Sequence, residues 1–191
     1  MNLFELFLSS ILNQNIALVF ILGMCPLIAI STSVKNAKGM GLAVILVVTI
    51  TAIINWPIYE LLKATGTEKL SLLVFIITIA AVVQLLEIFM EKYVPSMYNA
   101  FGIFLPLITV NCVVLAVSLF FVNRDYSFGQ TVSFSFGSGV GWALAIILVA
   151  GIREKMARIS DIPKGLRGKA IVFIVLGILA LAFIGFTGLI R

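Results

Sequence analysis

The chain has 191 residues, 62% of them hydrophobic and only 11% charged, with a mean hydropathy of +1.21; soluble domains are nearer half apolar and a quarter charged, so this composition specifies an integral membrane protein. There is no histidine and there are two cysteines, which excludes histidine-ligated haem, His-rich metal sites and Ser-His-Asp chemistry and argues against a secreted disulfide scaffold. The net charge of +5 is accounted for by loop lysines and arginines rather than by nucleic-acid binding.

The opening MNLFELFLSS has neither a positive n-region nor a small-residue cleavage site, so no removable signal peptide is expected. A span needs about 20 mostly apolar residues. Six such segments follow: Asn15–Ser33, Gly39–Leu61, Leu70–Met90, Asn99–Val122, Phe134–Ile152 and Ala170–Leu189. The first has an alternative start near Phe4, with Asn13, Gln14 and Asn15 as an interruption. The predicted fold is therefore an all-α bundle of six transmembrane helices.

With six spans, one set of ends holds Lys35, Lys38, Lys92, Arg153, Lys155, Arg158, Lys164, Arg167 and Lys169. The other set holds only Lys63, Lys69, Arg124 and Arg191. The positive-inside rule places the richer set in the cytoplasm and both termini on the periplasmic side of a bacterial inner membrane.

The halves 1–95 and 96–191 share short echoes. Pro26-Leu27-Ile28 recurs as Pro106-Leu107-Ile108, Gly39-Met40-Gly41 as Gly139-Val140-Gly141, and Val74-Phe75-Ile76 as Val172-Phe173-Ile174. Three matches in one order, one per span, point to a duplication of three spans. An odd number of spans inverts the second copy. Chance matching in so apolar a chain is the competing explanation.

Spans 1 and 4 carry the prolines. A proline inside a helix frees the carbonyl four residues earlier, here those of Leu22 and Gly102. Gly23 and Gly102 precede Pro26 and Pro106 and ease a break near mid-membrane. Two ordinary kinks are the plainer reading. The only cysteines fall beside these prolines, Cys25 in 21-ILGMCPLIAIS-31 and Cys112 in 105-LPLITVNC-112. Thiolates suit iron–sulfur clusters, zinc or copper(I). A [2Fe–2S] cluster takes four ligands, so this chain can furnish half a set and a partner must bring the rest. Alternatively both cysteines are small packing residues.

The runs 22-LGMCPLIAIS-31, 102-GIFLPLITVNC-112, 123-NRDYSFG-129 and 162-IPKGLRG-168 resemble the E-subunit family of the sodium-translocating NADH:quinone oxidoreductase (Nqr), from about Asn13 to Gly188. The cysteine motifs are shared with a sister family, the A subunit of the Rnf ferredoxin:NAD oxidoreductase. Asn111-Cys112, NRDYSFG and PKGLRG lean toward Nqr; Cys25-Pro26 and the short Lys63–Lys69 connection lean toward Rnf. The resemblance implies a six-span subunit paired with a homologous D subunit of opposite topology. Between them they hold one [2Fe–2S] cluster, with Cys25 and Cys112 as this chain's ligands. It further implies electron delivery from a cytoplasmic NADH-oxidising flavoprotein and onward transfer to an outer-side FMN subunit. Quinone reduction is coupled to Na⁺ export, with NADH, flavins and quinone bound by other subunits. A secondary transporter or channel, and a purely structural subunit, are the alternatives outside the family.

Four further features fall within this frame. Gln84 and Glu87 share a helix face near the end of span 3, and Glu87 is a candidate for a sodium pathway or simply an interfacial acid. Thr109 and Asn111 either bond a cluster sulfur or link helices. The glycines of 137-GSGVG-141 lack a preceding strand and serve helix packing, not dinucleotide binding. The basic loop 153–169 meets lipid headgroups or docks the flavoprotein, while Trp56, Trp142 and Tyr93 read as interfacial anchors.

Overall fold

The structure, a computed structural model, describes residues 3–93, 106–159 and 168–187. Among them there are only helices and the turns that join them. Chain order is α1 (Leu3–Ile11), α2 (Met24–Ile30), α3 (Val34–Ala64), a 3-10 turn (Glu68–Leu70), α4 (Ser71–Tyr93), α5 (Pro106–Thr109), α6 (Cys112–Asn123), α7 (Phe128–Ile159) and α8 (Lys169–Thr187).

Three of these segments are long and apolar enough to cross a bilayer alone: Val34–Ala64, Glu68–Phe89 and Phe128–Arg158. Cys112–Asn123 and Lys169–Gly185 are shorter apolar helices. The expected spans 2 and 5 are thus present and longer than their hydropathy suggests, because their polar ends continue the helix beyond the apolar window. The expected first span is not one helix. Over Asn15–Ser33 only α2 is helical and turns fill the stretch before it, while α1 covers the alternative start near Phe4 and ends at Ile11. The expected fourth span lies partly outside the described residues, and from Pro106 onward it too is interrupted, between α5 and α6.

At the centre, α3 and α7 run antiparallel. A methyl placed on Gly41 would stand 2.9 Å from the Ala143 side chain, and one on Gly139 would stand 3.0 Å from the Cα of Ile45. Small residues here let the two backbones close up, which is the main source of attraction between helices in lipid. Against the other side of α7 lies α1, where Phe7 stacks on Phe136 with ring centroids 5.9 Å apart. Gly137 makes room for it, since any side chain at that position would overlap the Ser10 hydroxyl and the Phe7 carbonyl.

Tyr59, Phe75 and Phe121 join α3, α4 and α6 through ring contacts of 5.8 to 6.4 Å. Asn55 donates to the Ser118 hydroxyl across the α3–α6 seam at 2.9 Å. Among its described side chains, α4 buries only the stripe Phe75, Ile79 and Val83. Its most apolar window is 17% buried, against 61% for α7, so α4 presents most of its surface to lipid or to another chain.

Candidate functional site at two interrupted helices

The first interruption is organised by Asn15. Its side chain is fully buried and makes four hydrogen bonds. The amide donates to the carbonyls of Ile11 and Gly141, each at 3.0 Å. The oxygen accepts from the N–H groups of Ala17 and Leu18 at 3.0 and 3.2 Å. One residue therefore terminates α1, starts the following turn and ties both to α7. Non-helical backbone at membrane depth survives only inside protein or beside a cavity. Here Ile16, Ala17 and Leu18 are buried in the core.

The interruption closes at Gly23, whose φ of 77° is left-handed and favours glycine. A side chain is also sterically excluded there. A Cβ would lie 2.5 Å from Val113 Cγ2, 2.6 Å from Trp142 Nε1 and 3.0 Å from Asn111 Oδ1. Trp142, wholly buried, donates its indole N–H to the Gly23 carbonyl at 3.4 Å. It is a strut of the break and not the interfacial anchor expected from sequence. Trp56 is part-buried and donates to the Tyr126 carbonyl at 3.1 Å; the Tyr93 side chain lies outside the described residues.

From Gly23 the seven-residue α2 begins, with Cys25 in its first turn and exposed. Pro26 follows within that same turn. The chain is interrupted upstream of the proline, so Pro26 sits where a helix has unbonded N–H groups anyway and its ring is tolerated. It therefore does not act by freeing the Leu22 carbonyl from a continuous helix. The far end of α2 is held by Arg153, whose guanidinium donates to the Ile28 carbonyl at 3.2 Å and the Ser31 hydroxyl at 2.7 Å. A cation at a helix C-terminus meets unpaired carbonyls and the negative end of the dipole. In the sequence Arg153 is one more cation of the basic loop. Only the fold shows that it turns inward.

The second interruption repeats the pattern with different means. Pro106 opens the one-turn α5, and the break falls at Val110 and Asn111; Gly102 lies outside the described residues. Asn111, 3% exposed, caps α6 by accepting from the Val113 N–H at 3.1 Å. Cys112 is then the first residue of α6 and is exposed. Both cysteines thus lie in the first turn of the helix that follows a break, where unpaired amides carry partial positive charge. The contacts of Gly23 with Asn111 and Val113 bring the two helix starts against each other. Beside Cys112 a cavity of about 210 Å³ is lined by Ile76, Ile79, Thr109, Val110, Asn111 and Leu115. Among the described residues no three acidic, cysteine or histidine side chains gather to hold a metal.

Glu87 is half-buried and Gln84 exposed near the cytoplasmic-side end expected for α4, away from either cysteine-bearing turn.

The family profile described as "Rnf-Nqr subunit, membrane protein" matches residues 3–190. The chain belongs to this Rnf-Nqr membrane-subunit family. Among its Rnf-Nqr relatives, the E subunit of the Na(+)-translocating NADH-quinone reductase of Maridesulfovibrio salexigens is 50% identical, the alignment covering 98% of each chain. The proteins of the same name from Alcanivorax borkumensis and Neisseria meningitidis are each 48% identical. The first alignment covers 96% of both chains, and the second covers 97% of this chain and 96% of its relative.

Proposed function

We propose that this chain is the E-type membrane subunit of a sodium-translocating NADH:quinone reductase, inactive alone, and that Cys25 and Cys112 are half the ligands of an intramembrane [2Fe–2S] cluster. A homologous six-span D subunit of opposite topology completes the set. The observation that carries this reading is the placement of the only two thiols. Each lies in the first turn of a helix after a break, each is exposed, and the Cβ position of Gly23 falls against Asn111 and Val113 of the other break. Full-length similarity to proteins named as E subunits of the quinone reductase supports Nqr over Rnf membership.

The residues present fit such a group. Two thiolates match a shared four-ligand set, and the N-terminal amides of α6 favour negative charge beside Cys112. When bound, the cluster supplies one-electron transfer at a depth where no aqueous carrier reaches. The chain's own residues hold the ligands in place: Asn15, Gly23 and Trp142 fix the entry to α2, Arg153 fixes its exit, and Asn111 starts α6. Other subunits bind NADH, the flavins and quinone, and Glu87 is a candidate contributor to the Na⁺ path.

The inverted repeat of 1–95 and 96–191 belongs to the same proposal. It is supported by the antiparallel α3–α7 pair, in which Gly41 lies against Ala143 and Gly139 against Ile45.

The deciding experiment purifies the whole complex with Cys25→Ala or Cys112→Ala. Expected is loss of the iron and acid-labile sulfide of one cluster together with NADH-to-quinone electron flow. Retention of that cluster in both variants overturns the ligand assignment. Substrate transport by the isolated chain without an electron donor would point instead to a secondary transporter.

A further inference from the structure

Asn111 is used only by half. Its Oδ1 accepts from the Val113 N–H and caps α6. Its Nδ2 is buried and has no hydrogen-bond partner among the described residues. A buried amide left without an acceptor is destabilising, and native structures rarely keep such a group without a use for it. The same side chain lines the cavity beside Cys112, and it is the residue immediately before that cysteine. Capping determines which end of the amide is free: the oxygen faces the helix amides, so the NH₂ is the end left to donate.

We propose that the Asn111 side-chain amide donates a hydrogen bond to a sulfur of the group bound beside Cys112, making Asn111 a positioning residue that raises the reduction potential of that group. This rests on the cluster assignment above. Reduction places additional negative charge on the sulfurs, so an N–H···S bond favours the reduced form more than the oxidised one. The helix that carries Cys25 is capped by Gly23, which makes no side-chain cap bond, so the capping amide is a feature of the Cys112 turn.

The test uses the whole complex and an EPR-monitored redox titration of wild type, Asn111→Ser and Asn111→Asp. Both replacements keep an oxygen able to cap α6, and both lack the amide donor. Expected is full cluster content with a midpoint shifted to more negative potential in each. Every tenfold loss in the one-electron reduction equilibrium corresponds to about 59 mV. A wild-type complex labelled with ¹⁵N-asparagine is examined by pulsed EPR as well, so the result does not depend on either variant folding. A nitrogen coupling to the reduced cluster is expected. An unchanged midpoint in Asn111→Asp, whose carboxylate caps the helix but has no donor, or no ¹⁵N coupling in wild type, overturns the proposal while leaving the cysteine ligands standing. Absence of the cluster from wild type, or its survival in both cysteine variants, overturns the underlying assignment instead.

Discussion

Four hydrogen bonds converge on Asn15, three of them with groups at the break itself and one with the Gly141 carbonyl of α7. Replacing it with alanine strands the Ile11 carbonyl and the Ala17 and Leu18 amides in the core and removes the tie to α7. The expected cost is about 2–4 kcal/mol, below the sum of four full penalties because polar groups in membrane proteins find substitute partners; a lowered denaturation midpoint of the detergent-solubilised complex measures it. Gly23→Ala carries a different penalty. A left-handed L-residue costs about 1–2 kcal/mol, and its methyl must displace Val113 and Trp142. Iron content should fall although both cysteines remain, and normal iron loading in Gly23→Ala would show that the contact between the breaks is dispensable. The polar interruption at Asn13, Gln14 and Asn15 is legible in the sequence as an alternative end to a helix starting near Phe4. The partner that makes it work, the Gly141 carbonyl, is 126 positions away and leaves no local signature.

At the scale of elements, α2 is too short to be stable alone, since isolated helices below about 12 residues are marginal. It is held at one end by Trp142 and at the other by Arg153, both from α7. Arg153→Ala should speed hydrogen exchange in α2, consistent with a local loss of about 1–2 kcal/mol, and Arg153→Lys should restore part of the protection. Unchanged exchange in Arg153→Ala would mean the guanidinium merely rests there. The prolines explain why sequence reasoning finds the right neighbourhoods and misplaces the breaks. A proline in a helix interior and one in a first turn look identical in an apolar run. Only the surrounding contacts distinguish them. The paired glycines are more readable, because close approach of α3 and α7 demands small residues at fixed positions on both helices.

Across the whole molecule, the buried centre is α3 against α7, while α4 keeps a largely apolar exposed face including Leu73, Ile77, Leu85 and Ile88. A subunit built this way is finished by its neighbours. Expressed without a partner subunit, the chain is expected to carry no iron and to be colourless, by metal analysis and visible absorbance. Orientation is testable in the same cells. A cysteine at Thr67 should react with a membrane-impermeant maleimide from the periplasm, and one at Lys155 only after permeabilisation; the opposite pattern would reverse the topology inferred from charge.

The dependence of α2 on α7 also imposes an order of events during synthesis. Gly141, Trp142 and Arg153 emerge from the ribosome more than a hundred residues after Gly23 and Ser31. Until then the start of the chain has nothing to brace its turn, and Cys25 has no fixed position. The turn that carries Cys25 is therefore fixed late, once α7 has been made.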